Sequence, residues 1–132
     1  MRYLLDTNVI IEAVANCSPA KNALFHATQS EWCGYSAITR LEIFGYPDLS
    51  SIEEKALITV LSELNEIAVT SSVIDRAINI RRGRRIKAPD AIIAATAQTM
   101  GATLLTRNID DFKLIADLIV LNPWTDPIGI EK

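Results

Sequence analysis

Short apolar runs alternate with longer segments of helical periodicity along the chain. Each run is nearly continuous in its apolar character, as strands buried on both faces of a parallel sheet are. Strands that alternate with helices form right-handed βαβ crossovers. The sequence therefore predicts an α/β fold with a parallel sheet between helices. The predicted strands are Arg2 to Leu5, Trp32 to Ser36, Glu66 to Val69, Thr103 to Leu105 and Leu118 to Leu121.

The segments between these strands carry signals for helix ends. Proline is favoured in the first helical turn, a serine with a glutamate three residues later forms a capping box, and glycine often ends a helix. The predicted signals are Ser18 before Pro19, the box Ser51-x-x-Glu54, Ser72 as a cap, Pro89 ahead of a helix from Asp90 to Met100, and Gly101 at its end.

Length and composition predict one domain. A chain of 132 residues that is 49% hydrophobic can bury one core, so we expect a single domain over 1–132, with residues from about 122 to 132 as a C-terminal tail in which Trp124 covers the core. Cys17 and Cys33 are too few for a disulfide framework, and their separation fits no metal-ligand pair. We expect a cytoplasmic protein with no leader, and no apolar run of the sequence approaches the length that a membrane helix needs.

Positive charge is concentrated in one short segment. Five of the thirteen basic residues lie there, and removing their charges from the net −3 leaves −8 on the remainder. A net negative chain does not coat nucleic acid by bulk electrostatics. The segment is either a solvated loop or a local site for anions. Its residues are Arg81, Arg82, Arg84, Arg85 and Lys87.

Four acids occupy positions where a parallel sheet presents its ligand site. Asp6 ends the first strand, Glu42 lies on a short helix after the second, Asp90 begins the most apolar helix, and Asp111 follows the fourth strand. The carboxyl ends of parallel strands, and the helix starts beside them, share one rim. The four side chains are therefore predicted to meet there.

Each acid also has an ordinary explanation. Asp6 could cap a helix that starts near Thr7, and Glu42 could pair with Arg40 or another base. Asp90, and Asp111 together with Asp110, could be first-turn acids favoured by the helix dipole. These explanations do not require all four acids to share a rim.

Carboxylates that do share a site repel one another unless a cation lies between them. The chain has one histidine, which excludes a zinc cluster, and oxygen ligands select Mg²⁺ or Mn²⁺. A divalent ion among acids is suited to phosphodiester hydrolysis.

At these residues the chain resembles the PIN-domain family, and within it the VapC-like toxin ribonucleases of type II toxin–antitoxin (VapBC) systems. The resemblance implies a three-layer fold with a five-stranded parallel sheet, an endoribonuclease that depends on Mg²⁺ or Mn²⁺, a cognate antitoxin and a homodimer. The matching stretches are Leu5-Asp6-Thr7-Asn8-Val9-Ile10-Ile11, Ser36-Ala37-Ile38-Thr39-Arg40-Leu41-Glu42, Ala88-Pro89-Asp90-Ala91-Ile92-Ile93-Ala94-Ala95-Thr96-Ala97 and Leu105-Thr106-Arg107-Asn108-Ile109-Asp110-Asp111-Phe112.

The resemblance also implies roles for individual residues. Asp6 and Asp90 map onto the principal metal ligands, and Glu42 and Asp111 onto secondary ligands, so that all four are catalytic residues. The fourth acidic position is divided, because some family members carry the acid where this chain has Asn108. We favour Asp111, with Asn108 as a neutral contact to water or phosphate, Thr106 as a supporting hydroxyl, and Asp110 pointing away.

The basic segment is then expected to line the entrance to this site. Its cations would hold the phosphates of an RNA strand, or would instead dock an antitoxin. Tyr35, Tyr46 and Phe44 could offer stacking surfaces for bases, although Phe44 fits the core better.

Two other function classes stay open on the sequence. One is a non-catalytic PIN-like module that binds RNA or protein through the basic segment. The other is a small-molecule phosphohydrolase or aspartyl-phosphate protein with Asp6 as its nucleophile, although no second acid lies two residues beyond it.

Overall fold

A five-stranded parallel sheet forms the centre of the molecule in the computed structural model, which describes residues 1–126. The strand order is β3-β2-β1-β4-β5, so that the first strand is central. The predicted α/β fold, a parallel sheet flanked by helices, is confirmed. The strands are β1 Arg2–Leu5, β2 Trp32–Ser36, β3 Asn65–Ile67, β4 Thr103–Leu105 and β5 Val120–Leu121.

Two predicted strands had wrong bounds. β3 begins one residue earlier than predicted and ends at Ile67, because the chain turns there to start the next helix. β5 begins two residues later than predicted, because the chain first leaves a turn at Asp117, whose backbone is left-handed with φ 56°.

Helices connect successive strands and cover both faces of the sheet. Within residues 1–126 they are α1 Thr7–Val14, α2 Ser18–Thr28, α3 Ala37–Phe44, α4 Ser51–Ser62, α5 Ser71–Arg81, α6 Ala88–Met100 and α7 Ile109–Phe112. None of these described helices is both long and apolar enough to cross a bilayer.

Several helix starts lie one or two residues before their predicted positions. The capping box is formed by Ser50 and Glu53, because the sequence Ser50-Ser51 followed by Glu53-Glu54 satisfies the motif in two registers. Thr70 caps α5 in place of Ser72. α2 already includes Ser18 and lacks a side-chain cap, and α6 begins at Ala88. Gly101 ends α6 in the left-handed conformation, as predicted.

The two faces of the sheet bury two separate apolar clusters. Tyr3 and Leu5 of β1 face the cluster that includes α1 and α2, whereas Leu4 faces the cluster formed with α5 and α6. Successive strand residues point to opposite faces, which explains why the central strand is apolar throughout. Trp124 packs against the first cluster, as predicted. Residues 127–132 of the predicted tail lie outside the described part of the chain.

The carboxyl ends of the central strands lie side by side. The amide of Asp6 donates to the carbonyl of Leu105 (2.9 Å), and the amide of Thr106 donates to the carbonyl of Leu121 (3.0 Å). Asp6 and Thr106, the first residues beyond β1 and β4, are thereby held next to each other at this rim.

Candidate active site

Asp6 is held rigidly at the end of β1. Its Oδ1 accepts from the amide of Thr7 (2.8 Å), and its Oδ2 accepts from Thr106 Oγ1 (2.7 Å). The residue is 5% exposed. It is the N-cap of α1, as one of its ordinary explanations predicts. Capping leaves its charge uncompensated, because both of its hydrogen-bond donors are neutral groups.

Glu42 reaches the same rim from α3. Its Oε1 accepts from Thr7 Oγ1 (2.7 Å), which lies 3.0 Å from Thr39 Oγ1. The alternative that Glu42 pairs with Arg40 is wrong, because Arg40 forms its ion pair with Glu66.

The aromatic residues expected near the site have different surroundings. Tyr35 is 4% exposed and donates from its hydroxyl to Glu66, so it offers no stacking surface for a base. Phe44 is half-buried against the core, as expected, and Tyr46 is exposed.

Asp90 and Asp111 lie in the first turns of α6 and α7. Asn108 Nδ2 donates to Asp111 Oδ2, so the two residues that divide the fourth acidic position are in direct contact. Asp110 is exposed and pairs with Lys113 (2.9 Å). It therefore points away from the site, as predicted.

One cavity of about 220 Å³ brings the four acids together. Burial raises the pKa of Asp90 to about 6, with further contributions from Asp6, Asp111 and Glu42 and an opposing one from Lys87. Burial also raises the pKa of Asp6, against its two hydrogen bonds, and Glu42 and Asp111 raise it further. The four carboxylates thus act on one another electrostatically. The lining residues are Asp6, Thr7, Asn8, Glu42, Lys87, Pro89, Asp90, Asn108 and Asp111.

The cavity is rich in oxygen ligands and poor in cations. Among residues 1–126 none of the four acids forms an ion pair, and Lys87 is the only cation that lines the cavity. Carboxylate and amide oxygens are the ligands that Mg²⁺ and Mn²⁺ prefer, so the donor set fits the expected metal. Within residues 1–126, no group of three or more histidine, cysteine, aspartate or glutamate side chains is placed so that it could hold a metal ion. The acids line the walls of the cavity without converging.

The basic segment borders a larger cavity of about 780 Å³. Lys87 and Asp111 line both cavities, so the basic surface opens directly onto the acids. Arg81 Nε donates to the carbonyl of Ile86 (3.1 Å) and thereby braces the loop. All five predicted basic residues line this larger cavity, together with Ile78, Ile86 and Asp111.

Sequence reasoning missed the hydroxyls that orient the acids. Thr7 donates to Glu42, and Thr39 contacts Thr7, although the two threonines are 32 residues apart. The position of Thr39 three residues before Glu42 was the available signal, because residues three apart share a helix face. Thr106 was predicted as a supporting hydroxyl, and the structure places it against Asp6.

Comparisons with known proteins agree with this architecture. Residues 3–118 match the PIN domain family. The chain is 34% identical to ribonuclease VapC51 of Mycobacterium tuberculosis, over 98% of this chain and 96% of that protein. Two solved structures have the same fold. The toxin–antitoxin complex of Klebsiella pneumoniae has a TM-score of 0.77 at 33% identity, covering 92% of this chain and 97% of that one. VapBC2 of Rickettsia felis, bound to a promoter DNA fragment, has a TM-score of 0.79 at 28% identity, covering 92% and 98%.

The matched region contains β2, β3 and β4, all of β1 except Arg2, and all four acids at the rim of the sheet. With a family match over most of its length and a ribonuclease relative above 30% identity, this chain belongs to the PIN domain family and is similar to VapC proteins.

Proposed function

We propose that this protein is an endoribonuclease that depends on Mg²⁺ or Mn²⁺ and acts as the toxin of a VapBC-type pair. The observation that carries the proposal is the cavity lined by Asp6, Glu42, Asp90 and Asp111, none of which forms an ion pair within residues 1–126. Similarity to ribonuclease VapC51 supports RNA as the substrate.

Each acid has a proposed role, which the resemblance to the PIN-domain family suggests. Asp6 and Asp90 are the principal metal ligands, and Glu42 and Asp111 complete the ligand set or polarise water. A bound divalent ion would supply neutralisation of the carboxylates and activation of water. In the hydrolysis, a P–O bond forms to the water oxygen while the bond to the leaving oxygen of the RNA strand breaks.

The proton on Asp90 competes with the metal. A carboxyl with a pKa of about 6 is partly protonated in mildly acidic solution. Metal ligands must be deprotonated, so binding there releases protons and weakens as the pH falls. We therefore expect the affinity for Mn²⁺ to fall as the pH drops below about 6.

The basic segment is proposed to hold the RNA strand beside the acids. Its larger cavity joins the acidic one at Lys87 and Asp111, so phosphates held along the arginines would lead to the site of cleavage. Ile78 and Ile86 add an apolar lining that suits bases exposed on a single strand.

A cognate antitoxin is the proposed partner. The similar structures from Klebsiella pneumoniae and Rickettsia felis are complexes of toxins with antitoxins. A short reading frame next to the gene should encode a protein that copurifies with this chain and blocks its activity. The homodimer stays a prediction, which sedimentation of the purified chain can check.

The test is cleavage of a single-stranded RNA by the purified protein with Mg²⁺, with Mn²⁺ and with chelator. Asp6→Asn and Asp90→Asn should each abolish cleavage while the circular dichroism spectrum is retained. Asp111→Asn should lower it strongly, and Asp110→Asn is the matched control, because the adjacent acid pairs with Lys113 outside the cavity.

Three results would contradict the proposal. Full cleavage in chelator would exclude metal dependence. RNA that is bound equally well without divalent ions and left intact would indicate the non-catalytic binding module. A phosphoryl group trapped on Asp6 would indicate the aspartyl-phosphate class.

A further inference from the structure

Two buried threonines lie behind Glu42 at the wall of the acidic cavity. We infer that Thr39 is a positioning residue for Glu42 and acts through the hydroxyl of Thr7. The inference deepens the proposed ribonuclease function and rests on it for the role of Glu42. It assigns a part in the site to a side chain that is 0% exposed and does not line the cavity.

Counting hydrogens sets the direction of the chain of hydroxyls. Thr7 Oγ1 lies 2.7 Å from Glu42 Oε1 and 3.0 Å from Thr39 Oγ1. A hydroxyl has one hydrogen to donate, and an ionised carboxylate can only accept. Thr7 therefore gives its hydrogen to Glu42, and Thr39 must be the donor to Thr7. The relay runs from Thr39 through Thr7 to Glu42.

Thr39 differs from Thr96, another fully buried threonine on a helix, in where its hydroxyl goes. The hydroxyl of Thr96 on α6 donates back to the carbonyl oxygen of Ile92, four residues earlier (2.7 Å), as the exposed Thr99 does to Ala95 (2.8 Å). This return bond is the usual choice of a helical threonine. Thr39 instead bonds across to α1, where its hydroxyl meets Thr7.

Glu42 needs an anchor more than its neighbours do. It is exposed, and the negative charges of Asp6 and Asp90 lie close enough for Glu42 to raise the pKa of each. A long side chain under repulsion turns toward water unless a donor holds it. Thr7 is the donor, and Thr39 fixes the orientation of that donor.

The activity test removes one hydroxyl at a time. Thr39→Val keeps the shape and deletes the donor, Thr39→Ser restores a hydroxyl, and Thr96→Val is the matched control at another fully buried helical threonine. Thr39→Val should lower kcat for RNA cleavage about three- to tenfold, the range expected within one hydrogen-bond network, with KM for RNA nearly unchanged. Thr39→Ser should recover most of the loss, and Thr96→Val should keep wild-type kcat.

A double-mutant cycle separates positioning from a general loss of packing. If Thr39 acts through Glu42, Thr39→Val lowers kcat no further in a Glu42→Ala background. The same cycle on the free energy of unfolding, measured in chelator, should also be non-additive for Thr39 with Glu42 and additive for Thr96 with Glu42. Thr39→Ala serves as a second variant without the hydroxyl if Thr39→Val does not fold.

The outcomes distinguish this inference from the function on which it rests. A wild-type protein that cleaves no RNA would overturn the proposed function. The double-mutant cycle on the free energy of unfolding would still test whether Thr39 acts through Glu42. Wild-type cleavage with Thr39→Val equal to Thr96→Val would overturn the relay alone. Additive effects of Thr39→Val and Glu42→Ala in both measurements would overturn it too.

Discussion

Replacing Asp90 by asparagine should stabilise the protein at neutral pH when no divalent ion is present. The pKa of Asp90 rises from 3.8 to about 6 in the fold, chiefly through burial and then through the charges of Asp6, Asp111 and Glu42. A carboxyl with a raised pKa carries no penalty well below pH 3.8, where it is protonated both folded and unfolded, and little penalty at about pH 4. The penalty develops between pH 3.8 and about 6, because the unfolded state then loses its proton while the folded state keeps it, and it is complete above that range.

The size of the effect follows from that pKa. At about 1.36 kcal/mol for each pKa unit, the difference corresponds to at most about 3 kcal/mol. Asp90 is only half-buried, so solvent screening reduces this to roughly 1.5 kcal/mol. Its place in the first turn of α6 favours the charge by about 0.3 to 1 kcal/mol, which asparagine gives up. We expect a net gain of about 1 kcal/mol, or a rise in Tm of roughly 3 to 5 °C.

The assay is thermal or urea unfolding in chelator at pH 4 and at pH 7.5. Asp90→Asn and wild type should unfold alike at pH 4, and the variant should be more stable at pH 7.5, with a smaller gain in 1 M salt. Asp110→Asn is the control, because Lys113 lowers the pKa of that exposed carboxyl and its loss should bring no gain. A variant no more stable than wild type at pH 7.5, or a gain that does not change with pH, would refute the reasoning.

Other substitutions and labelling experiments test other parts of the structure. Thr106→Val should lower the free energy of unfolding by about 1 to 3 kcal/mol, because it leaves an oxygen of buried Asp6 without its donor; denaturant titration measures this. Burial raises the pKa of the Cys33 thiol to about 12, so at pH 8 a thiol reagent should label Cys17 first, and equal labelling rates in the folded protein would contradict this. Arg85→Gln should weaken RNA binding at low salt and reduce its salt dependence by about one phosphate contact, whereas an unchanged salt dependence would place the strand elsewhere.

The shared rim of the four acids could be anticipated from the chain because it depends on topology. Once Asp6 follows one strand and Asp111 follows another, a parallel sheet brings both to the same rim. Asp90 could be placed there by the same rule, since it lies in the first turn of α6, and Glu42 lies in the second turn of α3, the short helix that directly follows β2.

The exact residue at which a helix begins could not be predicted from the sequence. Ser50 and Ser51 present the same cap one residue apart, with Glu53 and Glu54 as equally good partners. The difference between such registers is small compared with the packing of the whole helix, so tertiary contacts decide it.

The ion-pair partners of charged side chains could not be predicted from the sequence either. Arg40 is two residues from Glu42 in the chain, yet it pairs with Glu66 from the neighbouring strand. On a helix, residues two apart do not face each other, and the closest opposite charge came from another element.

The sequence by itself determined the α/β class, the apolar central strand and the positions of four acids at the sheet rim. These features follow from short-range periodicity and from the fixed geometry of parallel crossovers. Only the tertiary structure decided which hydroxyls donate hydrogen bonds to these carboxylates. Thr106 donates to Asp6, and Thr7, which contacts Thr39, donates to Glu42. Hydrogen bonds reach about 3 Å and join residues up to 100 positions apart here, so they exist only after the sheet and helices have packed.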